Sequence, residues 1–260
     1  MKRQTLTRRF RPLVALVAVT LAGCLDPVGD IFPGITSIGG PTWFPDGERI
    51  VFYLKGEDVG SGGYYVVDAD GGGLRRWRDL GPDNPDRQIA HELLKVARAG
   101  ERAGVAKLRR IGVRTTGRWP GGAPKDLVFS VAWSPDRQRI AYSYRSPGRT
   151  GQDVYVVRTD GSSKPRLVAR HADGPTWSPD GRLIGVSRGI YGMFVVPVAG
   201  GRPRKLPIEL DPEPGVWRSA LGSPVWSPDG TQIAFSTSYG LYVADVDTGR
   251  TRRLADIGDA

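Results

Sequence analysis

The sequence holds one cysteine, two histidines and two methionines in 260 residues. A single thiol excludes a disulfide framework within the chain. Two His and one Cys are too few for a zinc cage. The one Gly-x-Ser-x-Gly match, Gly185-Val-Ser187-Arg-Gly189, continues the apolar run Leu183–Val186 and is not read as the nucleophile elbow of an α/β-hydrolase. No acidic residue precedes Asp26, and the one long apolar run, Leu13–Ala22, is broken by Thr20. That run falls short of the about 20 residues a membrane-spanning helix needs. What is abundant points elsewhere. The 36 Gly and 21 Pro disfavour a helical bundle and suit tight turns between short strands. A hydrophobic content of 39%, with seven Trp and nine Tyr, is too rich for a disordered chain.

The formal charge of +10 is unevenly placed. Lys2, Arg3, Arg8, Arg9 and Arg11 precede the apolar run, and a positive segment followed by a short apolar one describes an export signal. Leu21-Ala22-Gly23-Cys24 resembles a bacterial lipobox. The resemblance implies that residues 1–23 are a lipoprotein signal peptide, cleaved ahead of a lipidated Cys24. The protein would then be exported and lipid-anchored to the cell envelope, on the periplasmic or outer cell-surface side. The competing reading is an ordinary secretory signal with a chance cysteine. Loss of the leader takes five cations and lowers the charge to +5.

Four segments repeat: Pro41–Gly47, Val131–Arg137, Pro175–Gly181 and Pro224–Gly230. Each places a Trp (Trp43, Trp133, Trp177, Trp226) three residues before an Asp (Asp46, Asp136, Asp180, Asp229) in a Pro-Asp turn. In such a turn Pro fixes φ, Asp bonds its own backbone and Gly takes a positive φ. Arg137 replaces that Gly in the second copy, so its turn must differ or be strained. An Ile-centred run, a Tyr/Phe-Val run and a short basic strand follow in every copy. Four antiparallel strands per unit make a blade, and blades bury both faces by stacking into an all-β propeller.

The Trp-Ser-Pro-Asp-Gly repeat with its Ile-Ala-Phe strand resembles the TolB-like β-propeller family, over residues 41–77 and 131–255. The resemblance implies a propeller over 41–260 behind a tether at 24–40. It also implies an envelope protein that binds other proteins, whereas related blades elsewhere accompany prolyl oligopeptidase-type hydrolases. The Trp spacings are 90, 44 and 49, so the first gap has room for a fifth, degenerate blade. A ring of four, a ring of five and an open arc all remain compatible.

Residues 79–128 fill that gap. Asn84-Pro85-Asp86 reads as a helix start, and Ile89, Leu93, Val96, Leu108 and Ile111 recur at helical spacing, weakened by Gly100 and Gly104. Nine Lys/Arg and two Glu lie between Arg87 and Arg118. This basic, partly helical insertion is either a solvated insert or a surface for anionic lipid or an acidic partner. With the leader and the insertion accounting for the positive charge, nucleic acid is not expected as a partner.

In an up-and-down blade the Pro-Asp and Asp-Gly turns share one face, and every longer connection falls on the other. Arg145, Arg149, Arg188, Tyr191, Trp217, Arg218 and Tyr239 lie in those longer connections. Arg with aromatics is the usual composition of interface anchors, so they form the candidate partner-binding face. No catalytic residue, metal site or cofactor is expected. His91 and His171 have no nearby Cys or His partner, and Asp68-x-Asp70 matches turn positions in the other copies better than a calcium loop. The alternative function is a propeller enzyme, or a binder of a sugar or lactone, that uses the central channel.

Overall fold

The computed structural model describes residues 35–56, 62–118, 124–146, 150–208, 222, 224–237 and 240–256. They form four four-stranded antiparallel sheets, a four-bladed β-propeller with one long helix. Blade 1 comprises β1 (Ile35–Trp43), β2 (Arg49–Gly56), β3 (Gly63–Asp68) and β4 (Arg75–Arg76). Helix α1 (Pro85–Arg110) and a small ribbon, β5 (Thr116–Arg118) with β6 (Pro124–Asp126), follow. Blade 2 is β7 (Val128–Trp133), β8 (Arg139–Tyr144), β9 (Asp153–Arg158) and β10 (Arg166–Ala169). Blade 3 is β11 (Asp173–Trp177), β12 (Leu183–Ser187), β13 (Met193–Pro197) and β14 (Arg204–Lys205). Blade 4 is β15 (Val225–Trp226), β16 (Gln232–Ser236), β17 (Gly240–Asp245) and β18 (Thr251–Asp256).

Both faces of each sheet are buried, which explains the nearly continuous apolar strands. In β2, Ile50, Phe52 and Leu54 pack on blade 4, and the intervening Val51 packs on α1. Side chains of a strand alternate between its faces, so one strand serves two neighbours. Five apolar clusters result, and they occupy five interfaces around the ring. Blades 4 and 1, 2 and 3, and 3 and 4 share three of them. The other two join blade 1 to α1 and α1 to blade 2. The helix therefore stands where a fifth blade would stand, filling the gap between the first two Trp repeats.

Local chemistry seats it there. Asn84 Oδ1 accepts the Asp86 amide at 2.9 Å, with Pro85 at the first helical position. Asp86 pairs with Arg49 of blade 1, which tethers the helix start. Phe44 stands where the other copies have Ser134, Ser178 and Ser227. It is fully buried with Leu80 and Ala90, so the copy beside the helix has exchanged a turn hydroxyl for an apolar seat.

The three Ser copies share one turn. Ser178 Oγ donates to Asp180 Oδ1 at 2.6 Å and accepts the Leu183 amide at 2.9 Å, while Asp180 Oδ1 accepts the Arg182 amide at 3.0 Å. Ser134 and Ser227 repeat these bonds. Arg137 does adopt the left-handed conformation, with φ of 58°, beside 74°, 68° and 77° for Gly47, Gly181 and Gly230. The turn is thus kept, with strain. At the glycine copies a Cβ would stand 3.5–3.7 Å from a proline of the neighbouring blade. Arg137 faces the helix side instead, and its guanidinium lies 5.6 Å from the Trp133 ring centroid.

Candidate binding face and central channel

Strand order places the Pro-Asp and Asp-Gly turns on one face of the ring, none of these connections longer than 159–165. The connections 145–152 and 206–224, and the segment carrying α1, leave from the opposite ends of the strands. Loops on a rigid scaffold are the usual carriers of binding groups.

Three of the seven sequence-derived face residues are described. Tyr191 is 69% exposed at the β12–β13 connection, the most exposed large apolar side chain among the described residues. Arg188, beside it, is half-buried, with its guanidinium 4.5 Å from the Phe194 ring centroid. Arg145 is half-buried on blade 2, 4.6 Å from the Phe129 ring centroid. With its amide nitrogen toward Asp173, Gln152 donates to that carboxylate at 2.6 and 3.0 Å and accepts from Arg145 at 3.3 Å. Asp173 also accepts from Ser130 Oγ at 2.9 Å. Arg145 thus braces blade 2 against blade 3, and Tyr191 projects freely. Arg149, Trp217, Arg218 and Tyr239 lie outside the described residues, as does Cys24. Phe129, 41% exposed beside Arg145, adds an aromatic that sequence reading missed because it sits inside a strand.

Three of the repeat tryptophans bond to a neighbouring unit, and the repeat aspartates bond within their own turns. Trp43 Nε1 donates to the Val225 carbonyl of blade 4 at 3.1 Å, and Trp177 Nε1 to the Ala132 carbonyl of blade 2 at 3.0 Å. Trp133 Nε1 donates to the Gly100 carbonyl of α1 at 3.0 Å. The buried Trp226 Nε1 has no acceptor among the described residues. Asp136, Asp180 and Asp229 are held below the ordinary carboxylate range, first by the Ser hydroxyl and then by a backbone amide. At Asp46, burial raises the pKa, and the Arg49 and Glu48 hydrogen bonds outweigh it to leave a net lowering.

Within the ring lies a channel of about 700 Å³. Thr42, Val131, Thr176 and Val225 line it, one from each innermost strand. Tyr53 and Tyr64 of blade 1 line it too, their rings meeting edge to face at 5.0 Å between centroids. The remaining wall is α1, through Leu94, Arg98 and Glu101. Among the described residues, Arg98 and Glu101 are the only charged groups of the lining. The Arg98 guanidinium donates to Tyr64 Oη and lies 5.9 Å from that ring's centroid. Arg98 and Glu101 did not stand out in sequence, because only the packing of α1 brings them to the axis.

The chain is 36% identical over 251 residues to the Tol-Pal system protein TolB of Anaeromyxobacter dehalogenans, covering 92% of this chain and 50% of that protein. It is 30% identical over 124 residues to the uncharacterized peptidase YuxL of Bacillus subtilis, covering 44% of this chain and 18% of that one. The chain therefore spans half or less of the length of these curated relatives. A crystal structure of TolB from Acinetobacter baumannii superposes with a TM-score of 0.40 at 12% identity, covering 85% of this chain and 44% of that one. No family model matches the chain.

Proposed function

We propose that this protein is a TolB-like propeller, lipid-anchored in the cell envelope, whose loop-rich face holds a protein partner without catalysing a reaction. The observation that carries the reading is the 36% identity to a Tol-Pal system protein over 92% of the chain. The sidedness of the propeller supports it: short, internally bonded turns on one face, long connections with the protruding Tyr191 on the other. Cys24 supplies the anchor, and two or three acyl chains there give stable attachment where one is marginal. The ten residues between Cys24 and β1 reach at most about 35 Å, so the propeller stays close to the bilayer.

Two measurements test this reading. Detergent-phase partitioning of the wild type against Cys24→Ser reads the anchor, and equal partitioning sinks it. Crosslinking followed by pull-down from the protein's own envelope reads the partner. Recovery of one protein that the Tyr191→Ala variant fails to capture supports the face, and recovery of none removes the scaffold role.

A further inference from the structure

We propose that the central channel is a binding site for a carboxylate-bearing sugar, recognised by groups that α1 brings to the axis. The proposal is independent of the loop-face reading, because Tyr191 does not line the channel. The volume of about 700 Å³ lies in the range of cavities that enclose small organic ligands. The four blades give this space hydroxyls (Thr42, Ser130, Thr176), apolar side chains and the Tyr53–Tyr64 pair. Among the described residues they give it no charge. Charge enters with Arg98 and Glu101, three residues apart and so on one side of the helix. Both are exposed, and neither forms an ion pair among the described residues.

These groups select a ligand class by what each would leave unmatched. Arg98 spends one donor on Tyr64 Oη, and the other donors of its planar fork can take a carboxylate in a bidentate, charge-assisted pair. Glu101 accepts hydrogen bonds only, so it calls for hydroxyl or ammonium donors. The tyrosine rings present an apolar surface for C–H faces, with phenols at their edge. A fatty acid would satisfy Arg98 and strand Glu101 against a hydrocarbon tail, which is costly. A neutral hexose would satisfy Glu101 and the hydroxyls and leave Arg98 without its anion. A uronic acid carries one carboxylate, several hydroxyls and a C–H face on a single ring, and matches all of them.

The test is titration of the chain from residue 25 onward, which contains every described element, with D-glucuronate, D-glucose and glycine by ligand-observed NMR. Saturable binding of glucuronate is expected, with glucose at least about tenfold weaker for want of the charge-assisted pair. In Arg98→Gln that preference disappears, while Tyr53→Ala weakens both sugars. The Arg98→Gln melting temperature is expected to match the wild type, because this exposed side chain supports no cluster of the core. Absence of saturable glucuronate binding, an unchanged preference in a folded Arg98→Gln, or glycine binding more tightly than glucuronate would each overturn the assignment.

Discussion

The indole of Trp133 donates its N–H to the carbonyl of Gly100, 3.0 Å away in the middle of α1. In the two other blades where this bond forms, the acceptor is a strand carbonyl of the preceding blade. The helix therefore provides, at one backbone atom, the acceptor that a strand provides elsewhere.

That contact separates two glycines that look alike in sequence. A Cβ on Gly104 would lie 2.4 Å from Val131 Cγ1 and 3.3 Å from Trp133 Nε1, whereas one on Gly100 meets nothing within 4 Å. Gly100→Ala is expected to stabilise by about 1 kcal/mol through helix propensity. Gly104→Ala is expected to destabilise by about 1–3 kcal/mol through overpacking, despite the same propensity gain. Chemical denaturation reads both, and adding Val131→Ala to Gly104→Ala should recover most of the loss. Equal signs for the two glycines would contradict the packing.

Restoring the repeat consensus should act oppositely at its two departures. Arg137→Gly relieves a left-handed non-glycine residue and is expected to stabilise by about 1 kcal/mol, less the lost contact with Trp133. Phe44→Ser empties a fully buried site between blade 1 and α1 and is expected to cost about 3–5 kcal/mol. Thermal melts decide the matter. A stabilising Phe44→Ser would mean that the helix does not rely on that seat.

The turn aspartates make stability pH-dependent in a definite direction. Asp136, Asp180 and Asp229 have lowered pKa values in the fold, from Ser hydroxyl and amide donors. Their contribution is present above the unfolded carboxylate value near 3.8 and is lost as pH falls through the folded values. Ser178→Ala removes one such donor and is expected to cost about 1 kcal/mol at neutral pH. Its deficit should shrink once Asp180 is protonated. Urea midpoints at pH 7 and pH 3 measure the two deficits, and equal values would exclude a carboxylate-linked effect.

Tyr191 is expected to act in binding and not in folding. At 69% exposure it carries little of the core, so Tyr191→Ala should leave the melting temperature unchanged and weaken capture of the proposed partner. Trp217→Ala is expected to do the same. A lowered melting temperature for either would move that residue into the core.

Much of the blade architecture is legible in the order of residues alone, because turn chemistry and two-residue periodicity are local signals. Strand runs such as Gln232–Phe235 and the Asn84 helix start fall where these signals put them. The charges of the channel are not legible in the same way. Arg98 and Glu101 resemble every other charge on a basic helix until the helix is placed beside β7. Arg145 shows the converse: its loop position suggests a free anchor, and its contact with Gln152 makes it a brace.

Phe44 and Arg137 lie on opposite sides of the helix, and each is suited to that neighbour rather than to its own blade. Moved between two ordinary blades, the Arg137 turn would meet a proline ring where Gly47, Gly181 and Gly230 leave 3.5–3.7 Å beyond a Cβ. Blade 1, turned toward another sheet, would present Phe44 where its counterparts fold a hydroxyl back onto the chain. The four units are thus not interchangeable modules. Blades 1 and 2 each carry an address for their place beside the helix, and reordering the units by recombination would require those two positions to be rewritten first.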